Sequence, residues 1–132
     1  MGHPQNGRRG PISTILLIED NKQNALLMRR LLEKNGHRVV HADEGQSGLG
    51  MAAAEPPDLI LIDLGLPDID GETIIGILKR IPALAETPIV AVTAWPQETA
   101  REMAQAYGCD GLILKPINTR SFTAEVEKYL RR

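Results

Sequence analysis

Aromatic side chains are nearly missing from this chain: Phe, Trp and Tyr make up 3% of its 132 residues, with one Trp and one Phe. Its core must therefore be aliphatic. Cysteine is as scarce. Cys109 stands alone, so no intrachain disulfide can form, which favours a reducing compartment. No apolar run approaches the length of a membrane span. Charge of one sign does not dominate either: 17 acidic residues face 15 basic ones, with no Lys/Arg stripe, so neither a nucleic-acid surface nor a membrane partner is expected. Residues 1–11 are polar and glycine-rich and lack the apolar stretch of a signal peptide. We expect residues 1–12 to be a disordered tail, residues 13–132 to be one domain, and the cytoplasm to be its address.

What is there suits that expectation. Apolar residues make up 42% and charged residues 24%, the balance of an ordinary globular protein with enough length for one core. Along the chain, short apolar runs alternate with segments of helical period. Ile15-Leu16-Leu17-Ile18 reads as a strand buried on both faces, ending at Glu19-Asp20. In 22–35, Ala25, Met28, Leu31 and Leu32 share a helical face, and Gly36 is placed to end that helix. Residues 38–42 form a second strand; Asp43 is placed to cap a weaker helix over 44–54, weakened by Gly48 and Gly50. Leu59-Ile60-Leu61-Ile62 is the clearest buried strand and stops at Asp63. A loop through Pro67 and Gly71 leads to a helix marked by Ile74, Ile75, Ile77, Leu78 and Ile81, ending near Pro82. A fourth strand over 89–92 stops at Thr93. A helix over 97–107 follows, with Ala100, Met103, Ala104 and Tyr107 inward. A fifth strand over 111–114 stops at Lys115-Pro116, and a last helix runs over about 119–130. Five alternations of strand and helix call for a parallel sheet with helices on both faces and right-handed crossovers, an α/β doubly wound fold.

The chemistry collects where the strands stop. In an open parallel sheet the carboxyl ends of the strands share one edge, and sites form in the crevice there. Glu19, Asp20 and Asp63, with the Thr93 hydroxyl and the Lys115 ammonium, should meet in one cleft although they are far apart in the chain. Clustered carboxylates repel and raise one another's pKa. A hard divalent cation relieves this, and Mg²⁺, which takes oxygen ligands and keeps part of its water, suits so small a ligand set. Lysine adds positive charge and threonine a donor. Together they suit a phosphoryl group, whose transfer depends on positioning and on stabilising its equatorial oxygens.

Four segments carry a family resemblance: Ile18-Glu19-Asp20-Asn21, Asp63-Leu64-Gly65-Leu66-Pro67-Asp68-Ile69-Asp70-Gly71, Val92-Thr93-Ala94 and Leu114-Lys115-Pro116-Ile117. In this order, each after an expected strand, they resemble the signature segments of response-regulator receiver domains of two-component and phosphorelay systems. The resemblance spans about residues 15–130. It implies a flavodoxin-like five-stranded sheet of order 2-1-3-4-5. It implies that Asp63 is the phosphoacceptor, which attacks a phosphohistidine of a sensor histidine kinase or histidine phosphotransfer protein. It further implies that Asp20 binds Mg²⁺ directly and Glu19 through water, with Asp63 and the Gly65 backbone carbonyl completing the protein ligands. Thr93 would bond a phosphoryl oxygen and Lys115 would pair with Asp63. The Lys115–Pro116 bond would be cis. Family members often pair through the fourth and fifth helices, which makes a homodimer a candidate assembly. The downstream partner would be another protein, or the chain would be the receiver part of a longer regulator or hybrid kinase.

Three positions depart from the family's usual residues. Leu112 stands three residues before Lys115, where many members carry the ring of Tyr or Phe that swings inward with the threonine. Trp95, two residues after Thr93, is placed to lie over the site and slow hydrolysis of an acyl phosphate. Gly65 offers no side chain to guide or block water. Two other functions fit a similar sheet. One is a phosphorylation-independent pseudo-receiver, which usually lacks one of the carboxylates or the lysine. The other is a Mg²⁺-dependent aspartyl phosphatase, which needs a second acid and a cap for which the chain is too short. Cys109 reads as a small core filler. His37 and His41 are spaced to share a strand face, but two histidines alone make an incomplete metal site and none is expected there, and Asp68 and Asp70 are loop-forming residues.

Overall fold

The computed structural model describes residues 13–130; the expected tail over 1–12 lies outside the described residues. Strands and helices alternate as β1 (Thr14–Ile18), α1 (Lys22–Lys34), β2 (Arg38–Ala42), α2 (Gly45–Ala54), β3 (Leu59–Asp63), α3 (Gly71–Lys79), β4 (Ile89–Thr93), α4 (Gln97–Tyr107), β5 (Gly111–Leu114) and α5 (Phe122–Leu130). The five strands form one parallel sheet in the order β2-β1-β3-β4-β5, as the resemblance implies.

Each central strand is buried on both faces, which is why its sequence is a continuous apolar run rather than an alternation. Ile15, Leu17, Leu59, Leu61, Val90 and Val92 point to one side and pack on Ala25, Met28 and Leu32 of α1 and on Phe122 and Val126 of α5. Leu16, Ile18, Ile60, Ile62, Ile89 and Ala91 point to the other and pack on Ala52 of α2, Ile74, Ile75 and Leu78 of α3 and Ala104 of α4. Burying one such aliphatic side chain contributes about 1.5–3 kcal/mol, so these two layers carry most of the fold's stability. The single Phe lies in the α1/α5 layer; the rest is aliphatic, as the aromatic deficit requires.

α1 is specified by its own residues. Asn21 accepts a hydrogen bond from the Asn24 amide at 2.9 Å, Lys34 lies in its last turn, and Gly36 takes φ 90° just beyond its end. α2 is not. The expected cap at Asp43 gives way to Glu44, whose side chain makes no capping bond. Instead, the amides of Gly45 and Gln46 donate to the two carboxylate oxygens of Asp68, at 2.9 and 3.0 Å. α3 ends at Lys79, earlier than Pro82, which opens a 3₁₀ turn, Pro82–Leu84. α5 begins at Phe122 rather than at Thr119, because the Asn118 side chain accepts from the Arg120 amide at 2.9 Å and holds a turn there. Ala100 and Ala104 are buried on α4, while Met103 and Tyr107 are half-buried. The Lys115–Pro116 peptide is cis.

Candidate functional site

Register builds the site. Ile18 pairs with Ile62, so Glu19 leaves β1 beside Asp63 at the end of β3. Asp63 pairs with Val92, and Thr93 with Leu114, so Thr93 and Lys115 leave the next two strands on the same edge. The Lys115 amide donates to the Thr93 carbonyl at 2.8 Å, holding those two ends together.

Carboxylate oxygens of Glu19, Asp20 and Asp63 lie within 4.8 Å of one another. Glu19 is fully buried and Asp63 is 8% exposed, whereas Asp20 faces solvent. Lys115 Nζ lies 2.8 Å from Glu19 Oε1 and donates to Asp63 Oδ2 at 3.3 Å. Glu19 Oε2 accepts the Asn21 amide at 3.0 Å, and Asp63 Oδ1 accepts the Gly65 amide at 2.9 Å. Burial pushes the Glu19 carboxyl above the usual carboxylate range and the Asp63 charge adds to it, against the pull of Lys115 and the Asn21 amide. Burial alone would lower the Lys115 pKa, but the Glu19 and Asp63 carboxylates outweigh it and hold the ammonium above its ordinary value.

One ammonium thus serves two carboxylates, with the third, Asp20, gathered beside them. Glu19 Oε1 is buried and meets the Lys115 ammonium at 2.8 Å, the same ammonium that Asp63 uses. Three carboxylates gathered around one ammonium, open to solvent through Asp20, are the donor set of a hard divalent cation. The residues present fit Mg²⁺.

Thr93 is 1% exposed, and its hydroxyl oxygen accepts the Trp95 amide at 3.1 Å. That leaves its O–H free to donate toward the cleft. Gly65 is exposed, and a Cβ there would stand 3.6 Å from Asp63 Oδ1, an ordinary contact. A larger residue would fit, so glycine leaves the approach to Asp63 open. Trp95 and Leu112 are both half-buried and pack against the core layer of α2, α3 and α4.

One residue beside the site plays a role that its sequence context did not suggest. His41 Nε2 lies 2.8 Å from the Glu19 carbonyl; a carbonyl can only accept, so that nitrogen bears the proton and steadies the turn below Asp20. His37, its suggested companion, bonds Glu127 instead, so the two histidines do not share a metal site. Asp68 is a loop residue as expected, but it also grips α2. Asp70 caps α3 through the Thr73 amide at 2.8 Å. Cys109 is half-buried, and burial pushes its thiol up to about 11, which makes it an inert filler.

The family model of the response regulator receiver domain matches residues 15–127. The polar-differentiation response regulator DivK of Brucella ovis is 33% identical over 117 residues, covering 89% of this chain and 95% of that protein. The chemotaxis response regulator CheY4 of Vibrio cholerae superposes with a TM-score of 0.83 at 22% identity, over 90% of this chain and 99% of that one, a likeness of fold. The receiver domain of a sensor histidine kinase of Pseudomonas aeruginosa PAO1 superposes with a TM-score of 0.84 at 25% identity, over 92% and 100%, and that structure has a magnesium ion coordinated in its active-site cleft.

Proposed function

From the premise that the chain belongs to the response-regulator receiver family, a family of signalling switches rather than metabolic enzymes, we propose that it takes a phosphoryl group from a phosphohistidine onto Asp63. One observation carries this reading. Asp63 ends the central strand 8% exposed, with Lys115 at 3.3 Å and the carboxylates of Glu19 and Asp20 gathered beside it.

In the transfer, a carboxylate oxygen of Asp63 attacks phosphorus as the P–N bond to the donor histidine breaks, and the imidazole leaves with the electron pair. Glu19, Asp20, Asp63 and the Gly65 carbonyl would hold Mg²⁺. When bound, the ion neutralises charge on the phosphoryl oxygens and on the acids around it. Lys115 sits where it can follow the charge from Asp63 to a phosphoryl oxygen, and its raised pKa keeps it an ammonium throughout the neutral range. Thr93 offers its free O–H to another oxygen. Loss of the acyl phosphate by hydrolysis returns Asp63. The chain's catalysis is limited to its own phosphorylation and dephosphorylation. The acyl phosphate carries nearly two negative charges where the Asp63 carboxylate carried one, which biases the loops after β3 and β4 and so changes partner binding. The donor is a sensor histidine kinase or histidine phosphotransfer protein, and the receiver unit takes in residues 13–132. Among the described residues no helix is long and apolar enough to cross a membrane.

Acetyl phosphate labelling with and without Mg²⁺, read by intact mass, tests the reading. Wild type should gain one phosphoryl group in a Mg²⁺-dependent way and Asp63→Asn should gain none. Equal labelling of the two proteins would overturn the assignment to Asp63, and none in wild type would overturn the reading in favour of a phosphorylation-independent interaction module.

A further inference from the structure

The loop between Asp63 and Asp70 carries Gly65, and its shape sets where that residue's carbonyl stands. It is pinned at several points. The Gly65 amide bonds Asp63 Oδ1, Leu66 is buried, and Asp70 caps α3. Between these, Asp68 reaches across to α2 and takes the amides of both Gly45 and Gln46, one on each carboxylate oxygen. The contact is tight on the helix side too. A Cβ at Gly45 would fall 2.1 Å from Ile69 Cγ2 and 3.3 Å from Ile74 Cδ1, so the α2 backbone lies directly against the loop's side chains.

α2 has little else to fix its first turn. No charged residue lies within Gly45–Ala54, three of its ten residues are glycine, and Glu44 supplies no cap. The Ser47 hydroxyl is spent on the Glu44 carbonyl. Helix and loop therefore complete each other: the helix supplies two amides that need an acceptor, and the loop supplies an anion that the helix N-terminus favours. The Asp68 carboxyl is correspondingly held below its ordinary range by those two amides.

We propose that Asp68 is a positioning residue for the acid cluster, tying the Gly65 loop to the first turn of α2 so that the site's affinity for a divalent cation depends on that helix. The proposal rests on the metal reading of Glu19, Asp20 and Asp63 given above. It makes α2 a lever on the site, because whatever shifts the first turn of α2 shifts the loop three residues from Gly65.

The test uses the full chain as wild type, Asp68→Ala, Asp68→Asn and Gly45→Ala, with two readouts: Mg²⁺ affinity by calorimetric titration, and amide hydrogen exchange at Gly65 without metal. Asp68→Ala should weaken Mg²⁺ binding about tenfold, the lower end of what outer supporting residues contribute to metal sites, and should speed exchange at Gly65. Asp68→Asn keeps one carbonyl acceptor and should lose less. Gly45→Ala pushes on Ile69 from the helix side and should also weaken Mg²⁺ binding, although alanine is the better helix former. If Asp68→Ala only lowers the melting temperature, with Mg²⁺ affinity and Gly65 exchange unchanged, Asp68 is a plain helix cap and the proposal fails. If wild type binds no Mg²⁺, the metal reading falls, and exchange at Gly65 still decides whether the latch exists.

Discussion

At the amino-terminal edge of the sheet, His37 and Glu127 meet at 2.6 Å; at the carboxyl edge, Glu19 and Asp63 share Lys115. Both places gather polar side chains at a sheet edge, but the balance of charge differs. The Ser13 amide donates to His37 Nδ1, so His37 Nε2 carries the proton that faces Glu127, and Asn35 donates to the same Glu127 oxygen at 3.2 Å. Two donors thus converge on one carboxylate oxygen there. At the other edge three acids gather and the buried two, Glu19 and Asp63, share one ammonium. A buried pair whose donors and acceptors match serves stability. A cluster left short of positive charge costs stability and is arranged to bind something.

Substitutions at the two ends should separate these roles. Lys115→Ala has the largest expected effect on stability. Without metal it should cost about 2–3 kcal/mol at neutral pH, less than breaking a wholly enclosed ion pair because Asp63 borders solvent. The sign of its pH dependence follows from Glu19, whose carboxyl is already held above its usual range. In the variant the repulsion is full at high pH and fades as pH falls and the acids protonate, so stability should recover toward acid. Urea melts at several pH values, with and without Mg²⁺, would show this, and Mg²⁺ should recover part of the loss at neutral pH.

His37→Ala, at the amino-terminal edge, should cost about 1–2 kcal/mol by stranding part of Glu127's hydrogen bonding. It should leave the rate of acetyl phosphate labelling unchanged. A change in labelling at constant stability would mean that the two edges communicate through the sheet. Trp95→Ala should shorten the acyl-phosphate lifetime about threefold, some 0.7 kcal/mol of barrier, if the half-buried indole shields Asp63. An unchanged half-life by phosphate release removes that role. The smallest effect belongs to Asp68. Its carboxyl is held below its ordinary 3.8 by the Gly45 and Gln46 amides. Its contribution is therefore full above that value and lost as pH falls through the lowered one. In Asp68→Asn the acid limb of the stability curve should be shallower in that window, visible by fluorescence of the single Trp.

Much of this was legible in the chain. Ile15 to Ile18, Leu59 to Ile62 and Ile89 to Val92 are local runs whose burial follows from composition, and each stops at a polar residue that the structure puts on the site edge. The cap of α2 and the start of α5 were not legible. Asp43 looked like a cap by position, but a carboxylate 23 residues from Gly45 reached the amides instead. Asn118 held a turn where helical spacing alone suggested three more residues of helix.

The sequence by itself determined the order and kind of the elements and the residues standing at the strand ends, because hydrophobic period and strand termination are properties of neighbours. Only the tertiary structure decided that His41 braces Glu19, that His37 completes Glu127, and that Asp68 closes α2. Those partners lie 22, 90 and 23 residues apart, and no local pattern specifies such a pair until packing brings its members within reach of a hydrogen bond.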